Sequence, residues 1–324
     1  MDNININIPY VCPYSGEELF FDLDRYISSS KRIFKIKNNI PRFCSEENYS
    51  DSFGFQWNIF DETQLDSFSG INITYERFWQ ETKWDPESLE KLNVLEVGSG
   101  AGRFSEVFLK STKAKLFSID YSTAVDANYR NNYNLRSRLF LSQASIYQMP
   151  FKDNSFDRIF CLGVLQHTPS FKNSIKALVS KLKVNGEVVI DFYPYKGIFT
   201  LIHSKYILRP ITKRISKRIL LLLISKSINL SLLLVDFLVR VKLGFLVRFL
   251  PITDVRGFPK KFTEKQRKEW AIMDTFDAFS PEFDNPQKLD NVKKMFIDEG
   301  CKIEFGGIVK YSGGSSMVVR AVKI

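Results

Sequence analysis

The chain of 324 residues is 44% hydrophobic and carries a formal net charge of +10, enough for one large α/β core with appended pieces or for two small domains. No run reaches the roughly 18 uncharged apolar residues of a spanning helix, and the N-terminus as far as Pro13 lacks a basic-then-apolar leader. Four scattered cysteines (Cys12, Cys44, Cys161, Cys301) form no CxxC pair, which argues against a metal site or a disulfide framework and suits a reducing compartment.

The basic excess is local. Residues 196–268 hold 17 of the 46 Lys and Arg and few acids, so an anionic partner surface is expected for that segment alone.

In chain order, residues 1–45 read as a short irregular segment ending in turn-forming Pro and Asn pairs, and residues 46–92 as an aromatic-rich cap or lid. From Asn93 the pattern alternates. Strands are predicted at Asn93–Val97, Lys115–Asp120, 139–142, 156–162 and 187–192. Helices are predicted at 103–110, from a Ser122 cap towards Arg130, and over 170–182. After the basic segment, Asn285 and Pro286 read as the N-cap and first position of a helix stopped by Gly300, followed by strands at 302–309 and 315–322. The alternation predicts an α/β fold with a doubly wound, mostly parallel sheet over 93–324, interrupted by a basic helical insertion at 196–270.

The text "NVLEVGSGAGRF" sets a glycine-rich turn directly after a strand and directly before a helix. Gly98 and Gly100 let the backbone turn sharply and let a ligand lie against it. The spacing is GxGxG, and Arg103 stands where a dinucleotide fingerprint wants its third glycine. Glu96, two residues before the first glycine, would repel a pyrophosphate but suits S-adenosylmethionine (SAM), which carries an ammonium and a sulfonium. Asp120 ends the next strand, where a carboxylate can accept both hydroxyl protons of an adenosine ribose.

Together "VLEVGSGAGRF", "SIDYS", "MPFKDNSFDRIFCLGVLQHTP" and "LKVNGEVVI" resemble the successive motifs of class I SAM-dependent methyltransferases, in particular the group related to quinone-biosynthesis enzymes. The resemblance covers Asn93 to Phe192 closely and the last forty residues loosely. It implies a seven-stranded Rossmann-like sheet and SAM as cofactor. It further implies that Glu96, Gly98, Gly100 and Gly102 wrap the methionine end, that Asp120 holds the ribose, and that Ser145 and Ile146 flank the adenine. Leu162, Gly163, Gln166 and His167 then lie beside the reacting methyl. The family usually has an acid where Ser145 stands. Residues 1–45 resemble a zinc-ribbon piece through "VCPYSGEE" and "NNIPRF", but only Cys12 is at a ligand position, so a metal-free remnant is expected.

Ligands in open α/β sheets sit beyond the carboxyl ends of the strands, which makes His167 and Asp191 the candidate bases. His167 reads equally as a packed loop residue, and Asp191 as a strand-end acid. Gln56 and Trp57, in "FGFQWN", are expected to cover the cofactor, and Asp274 and Asp277, in the aromatic loop "MDTFDAFSPEFDNPQ", to meet substrate hydroxyls. In the insertion, Ile211, Ile215, Ile219, Leu222 and Leu223 follow helical spacing apart from Lys213, Arg214, Lys217 and Arg218. Two readings stay open there: a substrate cap with a solvated basic face, or a helix lying on an anionic membrane.

The expected activity is methyl transfer to an oxygen of a small-molecule, glycan or lipid-linked acceptor in the cytoplasm, with peripheral attachment to the inner face of the membrane under the second of those two readings. RNA methylation over a basic nucleic-acid surface ranks second, because "LGVLQHTP" lacks the Asn/Asp-Pro-Pro-aromatic loop that resembles base-amine methylation. A non-catalytic SAM-fold scaffold is the third reading.

Overall fold

The computed structural model describes residues 10–45 and 47–324; of the N-terminal stretch read for a leader, residues 1–9 lie outside the described residues. Its main sheet has seven strands in the order β10-β11-β9-β8-β5-β6-β7. These are β5 Asn93–Val97, β6 Lys115–Asp120, β7 Leu139–Gln143, β8 Phe156–Cys161, β9 Leu182–Phe192, β10 Cys301–Tyr311 and β11 Gly314–Lys323. The five from β5 to β9 pair in parallel, whereas β11 runs antiparallel to β9 and β10 antiparallel to β11. Helices α4 Arg103–Ser111, α5 Val125–Asn131, α6 Phe171–Lys181 and α11 Leu289–Asp298 connect the strands.

Two-sided cover explains the strands. In β5, Val94, Leu95 and Val97 are all buried, the near-continuous apolar run of a sheet packed on both faces. One core joins α6 and α11 to β8 and β9, and the other joins α4 to β5 and β6. The chain winds from β5 to β7 in one direction and then returns to β8 on the other side of β5. Beyond the carboxyl end of β5 therefore lies the switch point where such sheets bind ligands.

The N-terminal segment, expected to be irregular, is a four-stranded antiparallel sheet: β1 Leu19–Asp22, β2 Arg25–Ser28, β3 Ile33–Lys37 and β4 Ile40–Pro41. Its strands are two to five residues long, too short to show a period. An aromatic cluster holds it together, with Tyr10 and Tyr26 ring centroids 5.3 Å apart and Phe34 and Phe43 5.2 Å apart. Phe43 N–H donates to Gln143 O at 2.8 Å, and Arg42 pairs with Asp126 at 2.6 Å. These bonds fix the small sheet to the β7 edge.

Residues 46–92 contain α1 Asp51–Ile59, α2 Asp66–Ser69 and α3 Ile73–Thr82. The insertion consists of α7 Ile198–Leu201, α8 Ser204–Thr212, α9 Lys217–Arg240 and α10 Glu264–Phe279. Two expectations need correction here. The stretch holding Asp274 and Asp277 is helix, not loop: a Thr263–Gln266 capping box starts α10, and Trp270, Met273, Phe276 and Phe279 bury one face of it. Asn285 and Pro286 do not start α11, whose N-cap is Lys288. Asn285 is held back by bonds to Gln166 O at 2.7 Å and Thr168 O at 2.8 Å, so the chain stays extended until Gln287 has bridged to Pro194.

Candidate active site

The turn after β5 and the ends of β6, β8 and β9 open onto one cavity of about 530 Å³, also lined from α1, α3, α8 and α10. That volume falls within the range of small-molecule sites. Gly98 and Ser99 N–H both donate to Ile119 O, at 2.7 and 3.1 Å, which ties the turn to β6. At Gly98 (φ +83°) a Cβ would lie 2.2 Å from Val164 Cγ2, and at Gly100 (φ +53°) 3.3 Å from the indole nitrogen of Trp57. Only glycine gives this cradle its conformation and its clearance.

Asp120 faces the turn. Its Oδ2 accepts Gly100 N–H at 2.8 Å, and its Oδ1 accepts Ser122 N–H at 2.8 Å and Ser122 Oγ–H at 2.7 Å. These bonds aim the carboxylate at the cavity, while burial raises its pKa. Ala144 and Ile146 line the wall beyond it. Trp57, beside Gly100, and Gln56 close the same region from α1.

Three residues expected at the cofactor do not line the cavity. Glu96 accepts from Ser118 Oγ at 2.7 Å and from Ser105 Oγ. It therefore pins α4 to β6 behind the turn, and burial pushes its carboxyl up to about 7. Gly102 packs on α5, where a Cβ would lie 2.3 Å from Asn128 Oδ1. Ser145 turns its Oγ to the Tyr147 N–H at 3.2 Å, which leaves its neighbours Ala144 and Ile146 at the wall. In each case side-chain direction within a contiguous motif decides the outcome, and spacing alone does not carry it.

At the other end, beyond β8 and β9, lie Leu162, Gly163, Gln166, His167 and Asp191. Asp191 is already committed: one oxygen accepts Gly163 N–H and the other pairs with Arg77, which also binds Glu81 at 2.9 Å. It holds the loop after β8 in place and is not a free base, which corrects that expectation. Burial lowers the basicity of Arg77, but Glu81 and Asp191 outweigh it and hold the guanidinium well above its ordinary value.

His167 Nδ1 lies 3.1 Å from Phe283 O, and its ring sits between Phe53 and Tyr193 at centroid distances of 5.0 and 5.7 Å. Donation to that carbonyl puts the ring proton on Nδ1 and leaves Nε2 as the acceptor nitrogen. Gln166 is fully buried, and neither its amide oxygen nor its amide nitrogen has a partner. The Oε1 of the equally buried Gln56 has none either. Buried polar groups are ordinarily hydrogen-bonded, which makes these two amides exceptions among the residues of the cavity wall.

Two arginines, Arg77 and Arg103, carried no site role in the sequence reading. Arg103 donates to Gln64 Oε1 and makes no ion pair among the described residues. Burial first, then the charge of Arg77, lowers its pKa to about 10. A guanidinium nitrogen of each of Arg77 and Arg103 lies 3.9 Å from the Cβ position of Gly163, so both converge beside the glycine turn. The signal for Arg103 was present in the motif, as a cation in the first turn of a helix, where it opposes the helix dipole. Asp274 and Asp277 face the same space from α10, and burial, then Asp277, pushes Asp274 up to about 7.

The donor set fits SAM. A glycine cradle suits its methionine chain, an uncompensated Arg103 its carboxylate, and Asp120 its ribose diol.

Residues 95–190 match the family described as a methyltransferase domain. A tRNA U34 carboxymethyltransferase of Nautilia profundicola is 31% identical over 112 residues, 34% of this chain and 37% of that one. Five further matches from other bacteria carry the same name. A sterol 24-C-methyltransferase of Aspergillus fumigatus is 29% identical over 100 residues, 30% of this chain and 26% of its own length. The chain spans 37% to 66% of the length of the tRNA enzymes it matches.

Among solved structures, a chain from the complex of the Haloferax volcanii Trm112 methyltransferase activator with a methyltransferase has a TM-score of 0.50 at 9% identity, covering 83% of this chain and 96% of that one. That likeness concerns the fold. The recurring tRNA-modification name corrects the expected acceptor: the small-molecule, glycan or lipid-linked reading, with nucleic acid ranked second, is overturned. Matched motif, sheet order and cofactor cradle agree on a methyltransferase of the class I fold with SAM as its cofactor, the family match lying at residues 95–190.

Proposed function

We propose that the protein methylates an RNA nucleotide, and that the base enters the end of the cavity beyond β8 and β9. The observation that carries this reading is Gln166: a fully buried amide with both its donor and its acceptor unused, in the cavity wall beside the aromatic rings around His167. An amide of this kind matches the paired donor and acceptor on a base edge, and aromatic walls suit an unstacked base. The names of the tRNA-modifying relatives support the same acceptor class. The four free thiols support a cytoplasmic site of action.

In the cradle, the cofactor supplies an electrophilic methyl on a sulfonium. The chain's own residues do the rest. Asp191 and Arg77 fix the loop carrying Gly163, so that the acceptor and methyl sites keep one geometry. His167 Nε2 takes up the proton an acceptor releases, and the Phe283 carbonyl stabilises the ring proton on Nδ1. Trp57 covers the turn and keeps water from it.

Incubation of the protein with methyl-tritiated SAM and bulk small RNA tests the acceptor class. The expected outcome is label in RNA that a ribonuclease releases and that Asp120→Ala abolishes. Label appearing only in a nuclease-resistant, low-mass fraction of a cell extract would overturn the reading.

A further inference from the structure

The surface of the insertion carries a feature that the cavity does not use. Helix α9 is 24 residues long, about 36 Å at 1.5 Å per residue, and it is apolar on two sides. Its inner side, with Leu220, Ile224, Ile228, Val235 and Leu238, is buried. Val235 and Leu238 pack in one cluster with Ala271 of α10, and Asp236 pairs with Arg267 of α10 at 2.5 Å. Its outer side repeats Ile219, Leu223, Leu230, Leu233, Phe237 and Val241 at 42 to 72% exposure. On a helix of 3.6 residues per turn these six fall within one stripe, set about a third of a turn away from the buried one.

The apolar surface continues past the helix end. Phe245 and Phe249 are 63% and 48% exposed. Arg248, between them in sequence, lies over the ring of Phe199, itself 57% exposed, at 5.4 Å, which joins α7 to the same face. Monomeric soluble surfaces rarely leave so long a stripe uncovered.

Charge selects the occupant. Arg218, Lys226, Arg240 and Lys242 are exposed and make no ion pair among the described residues, and the one carboxylate on α9, Asp236, is neutralised by Arg267. Lys213 and Lys217, expected from the sequence to be free cations, are instead bound to Glu282 at 2.7 Å and Asp51 at 2.5 Å. A leucine-rich stripe with free cations and no free acid complements a layer of anionic headgroups over hydrocarbon. It does not suit an RNA backbone, which needs cations where this helix presents leucine. The helix is long and apolar enough to cross a bilayer, but its inner side is already packed on α10.

We propose that α9 and the turn after it dock on an anionic lipid bilayer, the helix lying in the plane of the interface with its outer stripe among the acyl chains. The proposal does not depend on the acceptor, and its test contains none.

The full chain is sedimented with vesicles of pure phosphatidylcholine and with vesicles containing 30 mol% phosphatidylglycerol, at low and high salt. Binding is expected on the anionic vesicles, at least fivefold above the neutral ones at low salt. It should fall severalfold at high salt, since the Debye length shrinks to roughly 3 Å at 1 M. The variant Leu230→Glu/Leu233→Glu/Phe237→Glu, with changes confined to the outer side, should lose binding while its affinity for S-adenosylhomocysteine stays that of the wild type. Equal sedimentation of variant and wild type would overturn the proposal, as would no sedimentation with either vesicle. A salt-independent dimer, dispersed by the variant in the absence of vesicles, would assign the face to a second copy of the chain and overturn it as well.

Discussion

The two ends of the cavity are built from different materials. The cofactor end is mostly backbone: a glycine turn tethered to β6 and an aspartate whose oxygens take three bonds from Gly100 and Ser122. The acceptor end is side chain: Arg77 from α3, Gln166 and His167 after β8, Asp274 and Asp277 from α10, with the Gln166 amide unpartnered. A site whose ligand is constant can be satisfied locally and rigidly. A site that must discriminate keeps unsatisfied polar groups, because these penalise the wrong ligand.

The contrast is sharpest at Gly98. A side chain there overlaps Val164 and forces a left-handed conformation, which alone costs about 1–2 kcal/mol. With the overlap added, Gly98→Val is expected to weaken S-adenosylhomocysteine binding by roughly a hundredfold, read by calorimetry. Retained affinity would show that the turn is not the cradle. Gln166→Leu should do the opposite. It keeps cofactor affinity and lowers kcat/KM for the RNA acceptor by about tenfold to a hundredfold, the worth of a paired base-edge contact. A loss of cofactor affinity in that variant would move Gln166 to the other end of the cavity and break the comparison.

Arg103 stands at the junction, and Arg103→Met tests on which side it acts. A charge-assisted bond is worth roughly 1.5–3 kcal/mol, so cofactor affinity should drop by about tenfold or more if the guanidinium meets the methionine carboxylate. The same assay on S-adenosine derivatives lacking that carboxylate should show no difference between variant and wild type. A difference that persists with them would place Arg103 with the acceptor.

The same division explains what could be read from the sequence. Strands β5, β6, β8 and β9, the switch point, and the place of Gly98, Gly100 and Asp120 at the cavity were legible because they are encoded within a few contiguous residues. Glu96 misled because its spacing fits a ligand while its direction on β5 points to Ser105 and Ser118. Asp191 misled because its partner Arg77 is 114 residues away, beyond any local pattern. The helical state of Asp274 was hidden by the density of aromatics, which mimics a loop between turns until the Thr263–Gln266 box supplies a starting point. The outer stripe of α9 was visible as apolar excess, but which cations stay free depended on Asp51 and Glu282, far along the chain.

The smallest expected effect concerns Asp274, and its sign depends on pH. Burial, reinforced by Asp277, raises its carboxyl from 3.8 to about 7 in the folded protein. The folded state therefore holds the proton more tightly than the unfolded chain, and stability falls as pH rises from about 4 through 7. Asp274→Asn removes that cost, so it should raise the melting temperature at pH 8 and leave it unchanged at pH 4. Linkage from the shift alone would give about 4 kcal/mol. The side chain borders an open cavity where water screens it, so a gain of about 1–2 kcal/mol is expected. Arg103 faces the same carboxyl and lowers its pKa. If that attraction outweighed burial, the substitution would destabilise at pH 8 and the acceptor end would be an ion pair in the resting protein. A gain at pH 8 would instead show that burial dominates, so that below about pH 7 Asp274 keeps its proton and can donate a hydrogen bond to the acceptor.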